Sequence, residues 1–114
     1  MVRIRWIVGA VLVAGLALPT ANAVAVSSYG GGAHAWAPAQ NDPGKIAVKD
    51  NSDDGDPVKA EYYRQSSPGT KRTLWNHSGY RRTVYSAHGS KIIRLRAIDD
   101  NDFAADDVGP WVAP

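Results

Sequence analysis

The sequence contains no cysteine, one methionine and one phenylalanine among its 114 residues. Small exported domains are often supported by disulfides, so this chain must instead be held by aromatic packing, a bound ion or a partner. It also lacks a GxSxG nucleophile motif, an HExxH zinc motif and a phosphate-binding glycine loop. The common signatures of serine hydrolases, zinc peptidases and nucleotide-binding proteins are therefore missing. We expect a non-catalytic protein that has no cofactor.

Long apolar runs are also missing, except at the start of the chain. Arg3 and Arg5 precede an uncharged apolar segment, Trp6–Leu18, and small residues follow at Ala21–Ala23. This order is typical of a secretory signal peptide, and the apolar segment is shorter than the roughly 20 residues that span a bilayer. We predict that residues 1–23 are a signal peptide, with a retained membrane anchor as the alternative. The mature protein is then secreted, extracellular and without a membrane span.

Acidic residues are scarce in the middle of the chain. Between Val58 and Ala97 the only acid is Glu61. The basic residues of this segment are Lys59, Arg64, Lys71, Arg72, Arg81, Arg82, Lys91, Arg94 and Arg96. The aspartates lie on either side, within 42–56 and 99–107. Charge blocks of this kind usually pair within the fold or lie solvated on its surface.

Apolar and polar residues alternate with a period of two after residue 44, which predicts β-strands. Turn signals separate the candidate strands at intervals of about 8–12 residues, a spacing typical of a small all-β sandwich or barrel. We predict that residues 45–114 form one antiparallel domain, arranged as a hairpin meander. Residues 24–44 include three consecutive glycines and are predicted to form a flexible arm, because glycine favours a mobile backbone.

Two segments, VKAEYYR and KIIRLRAI, show the alternation most clearly. The residues predicted to share the inward faces are Val58, Ala60 and Tyr62 in the first and Ile93, Leu95 and Ala97 in the second. Those predicted to face outward are Lys59, Glu61, Tyr63, Arg94 and Arg96. Between the two segments, Pro68-Gly69 suits the central positions of a type II turn.

The stretch KDNSDDGDPVKAE resembles a calcium loop. Its candidate ligands have the spacing of an EF-hand loop and are Asp50, Ser52, Asp54, Asp56 and Glu61. Pro57 removes a backbone donor from the loop, and the flanking segments are strand-like, so no helix pair frames it. Glu61 also belongs to an alternating strand that points it away from the turn. We therefore expect the tip of a polar hairpin and no bound metal, with calcium binding as the alternative.

The histidines allow a catalytic alternative. His77 and His88 both lie in predicted turns and, if they shared one end of a sandwich, could serve with Glu61 and Arg82 as acid, base and phosphate clamp of a small ribonuclease. Exposed polar turn residues are the simpler interpretation. Asn76-His77-Ser78 also forms a glycosylation sequon.

The basic middle segment is the best candidate for function. Alternation places Arg94 and Arg96 on one face, and we predict that a neighbouring strand carries Arg81 and Arg82. The proposed polyanion-binding residues are Arg81, Arg82, Arg94, Arg96, Trp75 and Tyr85. Cations interleaved with aromatic rings bind nucleic acids, acidic glycans or acidic wall polymers. The alternative is a solvated face whose charge the acidic loops neutralise.

The segments VKAEYYR, RTLWNHSG, TVYSAHGSKI and DDVGPW resemble a group of small uncharacterised secreted β proteins of actinomycetes. The resemblance covers about Ile46 to Trp111 and implies no activity. It implies that Ile98 and Val108 stand where other members carry two cysteines, so that an apolar pair replaces a disulfide closing the acidic loop. The signal peptide, the GGG run and a nearby tryptophan also resemble lactococcin 972-type bacteriocins.

Together these features predict an exported binding or cell-surface interaction module whose partner is an extracellular acidic polymer or cell-wall component. A secreted antibacterial effector and a small ribonuclease are the alternatives.

Overall fold

The computed structural model describes residues 24–114, so the predicted signal peptide lies outside the described residues. These residues form eight β-strands: β1 (Val26–Gly30), β2 (Ala33–Ala37), β3 (Ala47–Asp50), β4 (Val58–Arg64), β5 (Ser67–Asn76), β6 (Thr83–Tyr85), β7 (Ile92–Asp99) and β8 (Asp107–Val108). The predicted all-β class is confirmed. Within 24–114 there is no helix long and apolar enough to cross a membrane.

The strands form two antiparallel four-stranded sheets. One sheet has the order β1-β2-β3-β6 and the other the order β5-β4-β7-β8. Of the two predicted architectures, the structure is the sandwich. The chain crosses between the sheets after β3, after β5 and after β6, so it does not run as one continuous meander. The loop 51–57, predicted to be a hairpin tip, is therefore a crossover from one sheet to the other.

The prediction of a flexible arm at 24–44 is wrong for the residues that form β1 and β2. The two strands pair from Val26 with Ala37 to Gly30 with Ala33, leaving a two-residue turn. A Cβ atom on Gly30 would lie 2.5 Å from the backbone nitrogen of Gly109. At least this glycine of the run is therefore required for close backbone packing and does not signal mobility.

Five of the eleven buried residues in the core between the sheets are alanines. The buried members of this core are Ala33, Ala35, Ala37, Ile46, Val48, Val58, Ala60, Tyr62, Ile92, Leu95 and Ala97. The inward positions predicted for β4 are confirmed, as are those of Leu95 and Ala97 in β7, whereas Ile93 is only partly buried. The alanines allow close approach of the two sheets, and the largest fully buried apolar side chains between them are Ile46, Ile92 and Leu95.

The turn predicted at Pro68-Gly69 lies elsewhere. The chain reverses at Gln65 and Ser66, while Pro68 and Gly69 belong to β5. Strand β5 lies at the edge of its sheet, where a proline leaves no ladder hydrogen bond unmade. The pairing of β4 with β5 shifts register between Tyr62 and Arg64, and this irregularity accommodates the extra residues of β5.

Arg64, counted among the basic residues of the middle segment, is a structural residue. Its guanidinium donates to the carbonyl oxygens of Gly44 at 2.8 Å, Ser90 at 2.6 Å and Ala87 at 3.1 Å. Only 8% of the residue is exposed. It therefore ties the loop before β3 to the loop between β6 and β7 and contributes no charge to an outer face.

Candidate polyanion-binding face

The outer face of strands β5, β4 and β7 collects cations and aromatic rings that are far apart in sequence. Register places Trp75 beside Lys59, and Tyr63 and Glu61 of β4 beside Arg94 and Arg96 of β7. The residues of this surface, called here the basic-aromatic face, are Lys59, Glu61, Tyr63, Lys71, Trp75, Arg94, Arg96 and Trp111. The predicted outward alternation of β4 and β7 thus builds one surface, because the two strands are direct neighbours.

Arg94 lies against two aromatic rings. Its guanidinium carbon is 4.6 Å from the ring centre of Tyr63 and 4.5 Å from that of Trp111. The two rings are themselves 5.4 Å apart. Cation–π contacts of this kind fix the position of a guanidinium while leaving the N–H groups at its edge able to donate. Arg94 is exposed, and within residues 24–114 no hydrogen bond or ion pair engages its side chain.

Arg96 is held differently from its neighbour on β7. Its Nε and Nη2 atoms contact Oε1 of Glu61 at 2.9 and 2.7 Å, and Lys71 approaches Oε2 at 3.2 Å. Burial acts to raise the pKa of Glu61, but the hydrogen bonds and charges of Arg96 and Lys71 outweigh it and lower that pKa. Arg96 lies on the outward face as predicted, but its side chain is only 25% exposed and Glu61 takes up part of its charge.

Trp75 forms the other end of the face. The Lys59 ammonium lies 4.7 Å from the Trp75 ring centre, and the His77 ring stacks on Trp75 at 5.2 Å with an interplanar angle of 17°. Trp75 was predicted to take part in binding, and it does lie on the basic-aromatic face. Its ring contacts the Lys59 ammonium and the stacked His77 ring, and the residue remains 39% exposed.

Arg81, Arg82 and Tyr85 do not join this surface. Tyr85 belongs to β6, which pairs with β3 in the other sheet. Arg81 and Arg82 precede β6 in a turn, and Arg81 has a positive φ of 68°. The prediction that these two arginines lie on a strand beside Arg94 and Arg96 is wrong, since β6 crosses to the opposite sheet.

The outer face of the other sheet has a different character. Tyr29 stacks on His34 at 4.3 Å, and His34 lies 4.7 Å from Trp36. Burial, followed by the charge of Lys49, lowers the pKa of His34. The imidazole is therefore neutral at pH 7, so His34 adds no charge to this aromatic cluster, which has Lys49 beside it.

The residues of the alternative calcium site do not assemble. Asp50 Oδ1 accepts the backbone N–H of Ser52 at 2.9 Å, and Asp54 Oδ1 accepts that of Asp56 at 3.0 Å, as expected for turn-forming aspartates. Glu61 lies on the basic-aromatic face, bound to Arg96. Across residues 24–114 no group of three or more His, Cys, Asp or Glu side chains has a metal-binding arrangement.

We therefore expect calcium to leave the melting temperature unchanged. A specific site at 100 times its Kd would add about 2.7 kcal/mol, which at about 4–8 °C per kcal/mol is a rise of more than 10 °C. Thermal unfolding in excess calcium and in chelator measures the difference. A rise of that size that disappears in Asp54→Asn would show that loop 51–57 binds the ion after all.

Aspartates do gather at the end of the sandwich formed by the loops after β3 and β7. Asp99 is 3% exposed; its Oδ2 accepts the Gly32 N–H at 2.7 Å, while its Oδ1 has no partner in the described part of the chain. Burial raises the pKa of Asp99, and the charges of Asp54, Asp50 and Asp107 raise it further, against the Gly32 hydrogen bond. Ionised Asp99 therefore destabilises the fold.

A folded-state pKa above the ordinary value means that the folded protein holds this proton more tightly than the unfolded chain does. The contribution of Asp99 to stability is then largest below its unfolded pKa and falls as pH rises through the raised pKa. We expect Asp99→Asn to raise the melting temperature at pH 7 and to have less effect at pH 4. Melting curves of the two proteins across this range measure it, with Asp53→Asn, an exposed loop aspartate, as control. An equal rise in the melting temperature of Asp99→Asn at pH 4 and at pH 7 would contradict a raised pKa of Asp99.

The histidines proposed for a ribonuclease lie near opposite ends of β3. His77 lines a cavity of about 250 Å³ beside Asp50, whereas His88 Nδ1 contacts Asp42 Oδ2 at 2.7 Å, in the loop that precedes the strand. The Gly44 N–H, followed by His88, lowers the pKa of Asp42 against a smaller effect of burial. The shared acid–base site is therefore not formed.

The sequon asparagine is fully buried. The Asn76 side-chain amide donates to the carbonyl oxygens of Val48 at 3.0 Å and Arg82 at 2.8 Å, and its oxygen accepts the Ser78 N–H at 2.9 Å. Asn76 therefore anchors the turn 77–82 against β3 and is closed to glycosylation in the folded domain.

Comparison of the chain with known proteins gave no match. No protein-family model matches it, and neither the curated proteins nor the solved structures include a match.

Proposed function

We propose that this chain is an exported, non-catalytic module that binds an extracellular acidic polymer through its basic-aromatic face. The observation that carries the proposal is the gathering of Lys59, Lys71, Arg94 and Arg96 around a single acid, Glu61. Two of these cations are additionally positioned by Trp111. The predicted signal peptide at 1–23 supports an extracellular location.

The aspartates lie too far from Arg94 to neutralise the positive charge of the basic-aromatic face completely. Arg94 is five positions from Asp99 along β7, which corresponds to about 17 Å of strand. The Debye length at physiological salt is about 8 Å, so the aspartate cluster at the strand end is largely screened from Arg94. Lys59 lies close to that end, and the acidic charge there reduces its contribution. The effective cationic surface is therefore centred on Arg94.

Retention on an immobilised polyanion such as heparin tests the proposal. Neutralising phosphate or sulfate groups releases counterions, so the affinity should fall with salt, with a slope of about 0.7–0.9 in log units per contact. We expect the wild type to be retained at low salt and released as salt rises. Arg94→Gln should elute at lower salt and reduce the slope by about one.

Arg82→Gln is the matched control, since it removes the same charge from the turn before β6. It should elute with the wild type. Absence of salt-dependent retention in the wild type, or equal losses in Arg82→Gln and Arg94→Gln, would refute binding by the basic-aromatic face.

A further inference from the structure

The aromatic rings of the basic-aromatic face are already in contact with other side chains. The guanidinium of Arg94 lies against both Tyr63 and Trp111, and that of Arg96 lies 4.5 Å from the Trp111 ring centre. At the other end, Trp75 has an ammonium and an imidazole as neighbours. A nucleobase that stacks on these ring faces must compete with groups that are already there.

The N–H donors at the edges of the two guanidinium groups have fewer partners than the faces of the aromatic rings. Arg96 uses Nε and Nη2 on Glu61, whereas the described residues offer Arg94 no hydrogen-bond acceptor. A planar guanidinium donates through its edge in a fork that matches phosphate and other oxyanions. Stacking against Tyr63 and Trp111 leaves this fork available while limiting the rotation of the side chain, which lowers the ordering cost of binding.

We infer that Arg94, positioned by Tyr63 and Trp111, is the principal oxyanion-binding residue, and that the face takes phosphate or sulfate groups on a backbone without aromatic bases. The inference rests on the proposed function and narrows its ligand class. Single-strand nucleic-acid platforms gain roughly five-fold or more in affinity for each stacked base. A base that stacks on these rings must compete with the guanidinium and ammonium groups already in contact with them, even at Trp75, which remains 39% exposed, so it recovers less of that gain.

Two oligonucleotides of equal length test this directly: oligothymidylate and its abasic counterpart, in which each base is replaced by hydrogen. They carry the same number of phosphates at the same spacing and differ only in their bases. Fluorescence anisotropy of end-labelled oligomers at low salt gives both affinities. We expect them to agree within about threefold, less than one stacked base would contribute. A preference for oligothymidylate larger than about threefold would overturn the inference and favour single-stranded nucleic acid as the ligand.

Uncharged substitutions test the role of the two rings. Tyr63→Leu and Trp111→Leu remove no charge, yet each should weaken binding of the abasic oligomer severalfold, because Arg94 loses a stacked neighbour. Tyr29→Leu on the other sheet is the matched control and should bind as the wild type does. Unchanged binding in both Tyr63→Leu and Trp111→Leu, with folding verified by melting, would contradict the positioning of Arg94 by these rings.

Competition with inorganic polyphosphate and with heparin distinguishes the two oxyanion sources. Displacement by polyphosphate at a lower charge concentration than heparin assigns phosphate, and the reverse order assigns sulfate. If no anionic chain binds at low salt, the proposed function itself fails. If chains bind but bases dominate their affinity, only the inference about ligand class fails.

Discussion

Arg64→Met should destabilise the protein more than substitutions of most of its other arginines. Methionine retains the apolar stem beside Tyr62, which the guanidinium carbon approaches at 5.4 Å, but removes three hydrogen bonds to the carbonyls of Gly44, Ser90 and Ala87. Hydrogen bonds from charged groups contribute about 1.5–3 kcal/mol each, and water reaching these loops offsets part of the loss. We expect a loss of about 3 kcal/mol, a fall of more than 10 °C in melting temperature.

Two variants define the cause of that loss. Arg64→Lys keeps the charge but presents a single ammonium, which cannot reproduce the fork that reaches carbonyls on two loops; it should lose most of the same stability. Arg72→Met removes an arginine from the exposed edge strand β5, where its partner is the Ser67 hydroxyl at 3.1 Å, and should change stability by less than about 0.5 kcal/mol. Chemical denaturation of the three proteins gives the free energies. Equal losses of unfolding free energy in Arg64→Met and Arg72→Met would show that the buried hydrogen bonds of Arg64 do not stabilise the fold.

The double variant Ile98→Cys with Val108→Cys should form a disulfide that stabilises the domain. These residues are cross-strand partners in β7 and β8, and the hydrogen bond from Gly109 N to Ala97 O at 2.8 Å makes them a pair without mutual hydrogen bonds, with Cα atoms about 4.5 Å apart. That separation lies within the range disulfides accept. Closing the loop 98–108 should stabilise the fold by about 3 kcal/mol.

Comparing oxidised and reduced forms of this double variant isolates the crosslink from the loss of Ile98 packing. The oxidised form should melt more than 10 °C above the reduced form. Failure of the two cysteines to crosslink, or equal melting temperatures, would show that β8 does not hold the register seen here. That these residues replace a disulfide of related proteins stays a prediction from the resemblance, and the structure shows only that they are cross-strand partners.

Alternation predicts the faces of individual strands but not their partners. The outward positions of β4 and β7 followed from the period of two, because side chains alternate across any extended strand. That β4 lies beside β7, and that β6 belongs to the other sheet, depends on pairings between distant segments that no local pattern contains. Arg81 and Arg82 were therefore grouped with Arg94, and Lys59 and Lys71 were omitted, although Lys59 already stood on the outward face.

Weakly apolar residues explain the error at the N-terminal strands. In AHAWA, Ala33, Ala35 and Ala37 alternate with His34 and Trp36, which is a strand pattern. Alanine contributes little to such a pattern, and the preceding glycines suggested mobility. The burial of all three alanines depends on close approach of the other sheet, a tertiary effect.

The positions of the Trp111 and Arg64 side chains are two further features that sequence patterns do not predict. The C-terminal segment lies along β7 through the bridge between Leu95 and Val112, which places Trp111 over Arg94 and Arg96. Its role could be found only from that pairing. Arg64 shares the composition of a basic surface but has a buried guanidinium, and charge counting alone does not separate the two.

The basic-aromatic face, with Arg94 at its centre, is proposed to bind acidic polymers. Titration of ¹⁵N-labelled protein with inorganic polyphosphate, followed by NMR at low and at high salt, tests this claim most directly. We expect saturable shifts at the Arg94 side-chain Nε–H, the Trp111 indole and the amides of β4 and β7, all suppressed by high salt. Shifts centred on Arg81 and Arg82, or no shifts at low salt, would contradict the claim.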